Sequence, residues 1–315
     1  ALFARLGWGE EVNDTGTRRT ATYWRHFYRL IDRSNTIIQA AEELEGLEEE
    51  RKNQILAEAR THRAQSYFTL YRMFNNIFIT SEPTTPENAF DRPQDKSSEE
   101  EIFALINSDL DFAISNLEWT TEQFGRYTQA TARHIKAKVA AWEENWTEAA
   151  SQSEAVIANE NYELVATTKE VFEGDLNHSE TLFTAQLEDG VIGGGSTNQI
   201  HFNVLAQYNR VQGAVHSTEN GGRSAGFLLP NDYLRGLLSE DENDDRANKN
   251  YYISFYTYND AATLPDGVNL GDTIDVFDQF GSSADEQRNY YLTMNPGVLK
   301  FFQEDAVPTE ANTIK

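Results

Sequence analysis

The stretch TQATARHIKAKVAAW-EEN-WTEAASQSEAVIA, residues 128–158, decides how the rest of the chain is read. Its two outer parts hold apolar residues at helical spacing, and Glu143, Glu144 and Asn145 leave room only for a tight reversal between them. Small side chains at Ala132, Ala137, Ala140, Ala149, Ala150 and Ala155 let two such helices approach closely. The spacing therefore predicts an antiparallel pair, Thr128–Trp142 with Trp146–Ala158. Paired helices with Trp and Ala at such positions suggest tetratricopeptide-like units, in a degenerate repeat.

Working outward, the segments before this pair carry the same period. From Tyr23 to Leu44, Trp24, Phe27, Leu30, Ile31, Ile37, Ile38 and Ala41 fall mostly three or four apart and make one wide apolar face, with Gly46 as its stop. A second helix is expected over Glu48–Asn75, followed by a loop holding Pro83, Pro86 and Pro93. Ser98 and Glu101 are spaced as a capping box for a helix carrying Ile102, Leu105, Ile106, Leu110, Ala113 and Leu117. Trp24, Trp142 and Trp146 lie on helical faces and are expected in the core, whereas Trp119 sits just past a helix end. After Tyr162 the texture changes to strand-like pieces such as 181–185 and 251–258, Gly-rich loops at 193–195 and 221–222, and a short helix near Asn231–Ser239 that runs into the acids 240–245. The fold class expected is mainly α: a tetratricopeptide-like helical scaffold over 1–162, then a loop-rich, mixed part over 163–315 of the same domain that carries the ligand.

Composition narrows the function. The 315 residues hold 26 Lys and Arg against 51 Asp and Glu, a formal charge of −25, which disfavours nucleic acid and anionic membrane as partners. At 39% hydrophobic and 12% aromatic the chain is too apolar for an acidic disordered segment. With no Cys there is no disulfide, thiolate nucleophile or Cys-bound metal, and no apolar run reaches the ~18 residues of a spanning helix. The six His never stand three or four apart, so no zinc-binding helix face exists. Residues 222–226 fit G-x-S-x-G, yet polar loop-like residues precede them where a nucleophile elbow needs a buried strand. The run 241–245 lacks the Gly and distal Glu of a calcium loop and reads as a solvated helix end. No phosphate-cradling loop is present. Neither enzyme chemistry nor a cofactor or metal is indicated, and binding remains.

Sugar rings offer apolar C–H faces that sit well on aromatic side chains, while amides, carboxylates and Arg serve the hydroxyls. Trp8, between Gly7 and Gly9 and followed by Asn13 and Asp14, has little helical packing to explain it; a ring that docks the N-terminal segment on the core is the competing reading. Tyr208 with Arg210 has the same ring-plus-polar character on a predicted loop.

At the level of motifs the chain resembles the SusD/RagB family of surface nutrient-binding lipoproteins from the Bacteroidota. Trp24-x-x-x-Tyr28-x-x-Ile31-x-x-x-Asn35 is similar to that family's first helix. Glu58-Ala59-Arg60 with Arg63-Ala64, Tyr67-Phe68 and Leu70 resembles its most characteristic one, although residues 74–79 replace the usual Gly and Pro of the turn that follows. Residues 101–117, Gly125-Arg126-x-Thr128 with the helix pair, Glu180-x-Leu182-Phe183, and Pro230 with Asp245-Arg246 continue the resemblance in order. It implies capture of oligosaccharide, or peptide in some members, at the cell surface, and partnership with a SusC-like TonB-dependent transporter of the outer membrane. The membrane contact it implies is an N-terminal lipid anchor not present in this chain. It also implies ligand residues in the regions of Trp8, Asn13, Asp14, Tyr208 and Arg210, and further sequence at both ends, the C-terminal helices included. A tetratricopeptide scaffold that binds only proteins is the alternative from another class.

Overall fold

The computed structural model describes residues 14–91, 95–172, 177–187, 203–248, 252–253, 256–274 and 291–300. The chain divides into two compact units, one running to Glu163 together with Ser179–Thr184, the other made of Leu164–His178 and the chain from Ala185 onward.

The first unit is a stack of helices: α1 (Asp14–Glu43), α2 (Glu49–Phe74), α3 (Glu99–Asn116), α4 (Gln129–Trp142) and α5 (Trp146–Ile157). Each packs on the one before it. α1 starts nine residues ahead of the apolar period that begins at Tyr23, so Asp14 is the first residue of a helix and not part of a preceding loop. The capping box is formed as read: Glu101 N–H donates to Ser98 Oγ (3.2 Å) and Ser98 N–H to Glu101 Oε2 (2.8 Å). Thr128 caps α4 through its hydroxyl, which accepts from Thr131 N–H (3.2 Å). The reversal between α4 and α5 places Glu144 in the left-handed region at φ 59°, and Asn145 then caps α5. Ile31, Tyr67, Leu70, Ile102, Ile106, Leu110 and Val139 form the centre of the core.

Two expectations fail at the end of this stack. α5 has no buried residue, and Trp146 and Ile157 are 67% and 79% exposed. Trp142 is half exposed, meeting Phe68 only edge-on at 6.2 Å. An amphipathic stripe reports that a helix has an apolar side; it does not report whether a next layer covers it. Residues 181–185 are not a strand either. Instead Leu182 O accepts the Thr131 hydroxyl (2.7 Å) and Phe183 stacks on Tyr127 at 5.0 Å.

The second unit has its own core, built on Leu205, Tyr208, Val211, Tyr256, Tyr258, Ile274 and Met294. Among its described residues the regular structure includes a 3₁₀ turn at Tyr208–Arg210, α6 (Asp232–Ser239), a helical turn at Asp245–Asn248, and β1 (Tyr252–Ile253) paired antiparallel with β2 (Gly297–Val298). Glycine at 297 lets the strand lie close to Leu205, since a Cβ there would lie 2.5 Å from Leu205 Cδ2 and force it to shift. The acidic run is used internally. Asp241 Oδ1 accepts from Asn243 N–H (2.9 Å), Asp244 pairs with Arg246, and Asp245 Oδ2 accepts from Thr168 N–H (2.8 Å). The mainly α, tetratricopeptide-like fold class is thus what the described residues show.

Candidate functional site

A sizeable concavity lies in the first unit, between α1 and the segment that leaves α2. Its volume is about 980 Å³, and its lining includes Trp24, Arg25, Tyr28, Arg29 and Asp32 from α1 and residues 78–84, Asn88, Ala89 and Asp91 from the segment. That size is at the upper end of the ~300–1,000 Å³ usual for small-molecule sites.

Helical geometry explains one wall. Trp24, Tyr28, Asp32 and Asn35 follow one another at steps of four, four and three, so they share a face of α1. The opposite wall, residues 78–84, runs as an irregular extended segment whose polar backbone is satisfied by side chains. Phe78 N–H donates to Tyr28 Oη (3.2 Å), and the same hydroxyl donates to Phe78 O (2.9 Å). Thr80 N–H donates to Tyr67 Oη (2.7 Å), which donates back to Thr80 O (2.9 Å). Ile79 N–H finds Ser97 Oγ (3.0 Å) and Thr84 N–H finds Asp32 Oδ1 (2.7 Å). Asn35 Nδ2 donates to Thr80 O (3.0 Å) and Glu82 O (3.2 Å). Burial pushes the Tyr28 and Tyr67 hydroxyls above the usual phenol range, so both remain protonated donors at any ordinary pH.

Behind the wall lies a buried charge. Arg63 grips Asp109 with two parallel hydrogen bonds, Nε to Oδ2 and Nη2 to Oδ1, both 2.8 Å, and donates from Nη1 to Asn35 Oδ1 (2.9 Å). All three residues are buried. α1, α2, α3 and the wall therefore meet in one network.

Chemically the groove offers an aromatic floor and a polar rim. Tyr28 and Phe78 stack at 4.6 Å, with Trp24 tilted against Tyr28 at 4.8 Å. Arg25, Arg29, Glu82 and Asp91 are exposed along the rim. Sequence reading assigned Trp24 to the core and passed over Phe78; the available signal was the Pro-containing extended segment directly after the most distinctive helix.

The residues singled out from sequence lie elsewhere. Trp8 and Asn13 fall outside the described residues, and Asp14 opens α1. Tyr208 is fully buried: its ring stacks on Tyr256 at 4.8 Å, His216 meets it edge-on at 5.7 Å, and its hydroxyl accepts from Ser217 N–H (3.0 Å) and donates to Gly222 O (2.5 Å). A ring so enclosed has no face for a sugar, so Tyr208 stands corrected from platform to core. Arg210 is exposed at the end of the same turn. Ser224 of the G-x-S-x-G match lies in a loop 3.3 Å from His216 Nε2, with no strand before it and no helix directly behind. Among the described residues no cluster of three His, Asp or Glu could hold a metal, and no helix is long and apolar enough to cross a membrane.

A stack of paired helices that frames an aromatic groove defines a scaffold of tetratricopeptide-like build. Residues 5–141 match the model of the SusD-like family described as "starch-binding associating with outer membrane", so over this stretch the chain is similar to that family. A SusD-like protein of Bacteroides ovatus is 27% identical over 177 residues, which are 52% of this chain and 32% of that relative. The chain thus matches about a third of that relative's length. A SusD superfamily protein from Parabacteroides distasonis shares the fold over 91% of this chain and 57% of its own, with a TM-score of 0.69 at 18% identity. A laminarin-binding SusD-like protein is similar over 74% of this chain and 52% of its own, with a TM-score of 0.61 at 22% identity.

Proposed function

We propose that this protein captures oligosaccharides at the cell surface, as a lipid-anchored component of the outer membrane, and passes them to a SusC-like TonB-dependent transporter. The observation that carries the reading is the groove, where Trp24, Tyr28 and Phe78 lie beneath a rim of guanidinium and carboxylate groups. Such rims exchange hydrogen bonds with hydroxyls, and the rings receive the C–H faces of pyranoses. The SusD-like match and the similarity to a laminarin-binding structure support the same class of ligand. Capture and release is the mechanism: a few stacking and hydrogen-bonding contacts give reversible affinity, which suits a protein that hands its cargo on. Trp8, Asn13 and Asp14 are proposed as additional contacts to the chain of sugars, Arg210 of the other unit is proposed as a sugar contact in its own right, and no bond is broken in the bound ligand.

Isothermal titration of the full chain against laminarin and xyloglucan oligosaccharides tests this. Binding is expected, weakened by about three- to tenfold in Arg29→Ala and Glu82→Ala, each loss matching one rim hydrogen bond that is open to water and therefore worth about as much as an ordinary one. Trp8→Ala and Arg210→Ala test the additional contacts. Absence of any glycan binding together with tight binding of oligopeptides would overturn the carbohydrate reading.

A further inference from the structure

We infer that Asn35, which is 1% exposed and is not among the residues that line the groove, is a positioning residue that sets where the groove's far wall stands and thereby how tightly the groove holds its ligand. The inference rests on the groove being the binding site proposed above.

The orientation of its amide is dictated by its neighbours. Arg63 can only donate, so it must face Oδ1; the carbonyls of Thr80 and Glu82 can only accept, so they must face Nδ2. The amide is therefore a connector between a fixed point and a wall. The fixed point is Arg63, immobilised by its two 2.8 Å bonds to Asp109. The wall is residues 80–82, followed at once by Pro83 and Thr84 of the groove lining. Thr80 has a second anchor in Tyr67, whereas Asn35 supplies the hydrogen bond to the Glu82 carbonyl. The stretch that carries the Glu82 side chain to the rim is thus located by a residue that does not touch the ligand. A carboxylate at position 35 would still accept from Arg63, yet it would face two carbonyl oxygens without a proton to offer. Asn35→Asp is therefore the change that releases the wall while leaving volume and the Arg63 contact nearly intact.

The test combines hydrogen exchange and calorimetry on the full chain. In Asn35→Asp the hydrogen-bonded amides of Ile79, Thr80 and Thr84 are expected to exchange at least about tenfold faster, with those of α4 unchanged. Affinity for a laminarin oligosaccharide should fall by about tenfold at unchanged stoichiometry. A purely structural role would lower the fraction of competent protein, hence the stoichiometry, and leave the dissociation constant alone. Tyr67→Phe, which removes the other anchor of Thr80 and keeps the ring, provides an independent release of the same wall should Asn35→Asp fold poorly. Unchanged exchange at Ile79, Thr80 and Thr84 in both variants, or a loosened wall with undiminished affinity, overturns the inference. Wild-type protein that binds no oligosaccharide, yet shows the expected exchange difference, overturns the ligand assignment and not the positioning of the wall.

Discussion

Tyr208 shows how one side chain can satisfy a ligand criterion and still be structural. It has a ring, a hydroxyl and an Arg two positions on, but ring and hydroxyl are both spent inside the second unit. Tyr208→Ala should therefore lower the stability of that unit by about 3–5 kcal/mol, the range for emptying a large aromatic site, measured by chemical denaturation. Tyr208→Phe should leave glycan affinity unchanged in titration; a marked loss would return the residue to the binding site. His216, which packs against it, provides a pH signature. Ser224 N–H donates to its Nε2 (3.3 Å), an arrangement that suits a neutral ring with its proton on Nδ1. Burial, with a smaller contribution from the charge of Arg223, holds its pKa below the ordinary 6.5. The folded state thus disfavours the proton that the unfolded state accepts. Its stabilising contribution is complete above about pH 6.5 and is lost as the pH falls from there through the folded-state value. A ring resonance for His216 that titrates at or above 6.5 would contradict this.

Helices were legible from the sequence because each local cue agreed with the next. The Ser98–Glu101 box, the Thr128 cap and the apolar period of α3 and α4 all sit within a few residues of what they specify. The groove was not legible, because its far wall is bonded to partners far along the chain. Tyr28 is 50 residues from Phe78, and Asn35 is 45 from Thr80. Without a ladder of its own, the wall has neither helical nor strand period and reads as an ordinary Pro-rich loop. The fate of α5 was equally hidden, since its apolar side is plain in sequence but a covering layer is not. Two adjacent helices of similar composition should therefore behave differently. α4 buries eight of its residues and α5 none, so amide exchange should be slower in α4 by at least about tenfold. Equal protection of the two helices would mean that α5 is covered in solution.

At the scale of the whole molecule, the charge of −25 sets the field in which any ligand arrives. The rim of the groove mixes both signs, so its hydrogen bonds to hydroxyls are short-ranged, whereas a polyanion would meet the net field first. Affinity for a neutral laminarin oligosaccharide should change by less than about twofold between 20 and 150 mM salt. A sulfated polysaccharide should bind weakly at low salt and no worse at high salt. Strong low-salt binding of the sulfated chain would show that Arg25 and Arg29 outweigh the acids around them.

The side-chain bonding of residues 78–84 has a consequence for how such a protein can diversify. The path of this wall is written in Tyr28, Asp32, Asn35 and Tyr67, all of which reside on helices. The side chains of Ser81 and Glu82 are exposed and contribute little to holding the path. Address and content are therefore stored in separate places. Substitutions at 81 and 82 can rewrite what the groove prefers while the frame that aims them is inherited unchanged, which makes these two positions a natural starting library for redirecting it to other sugars.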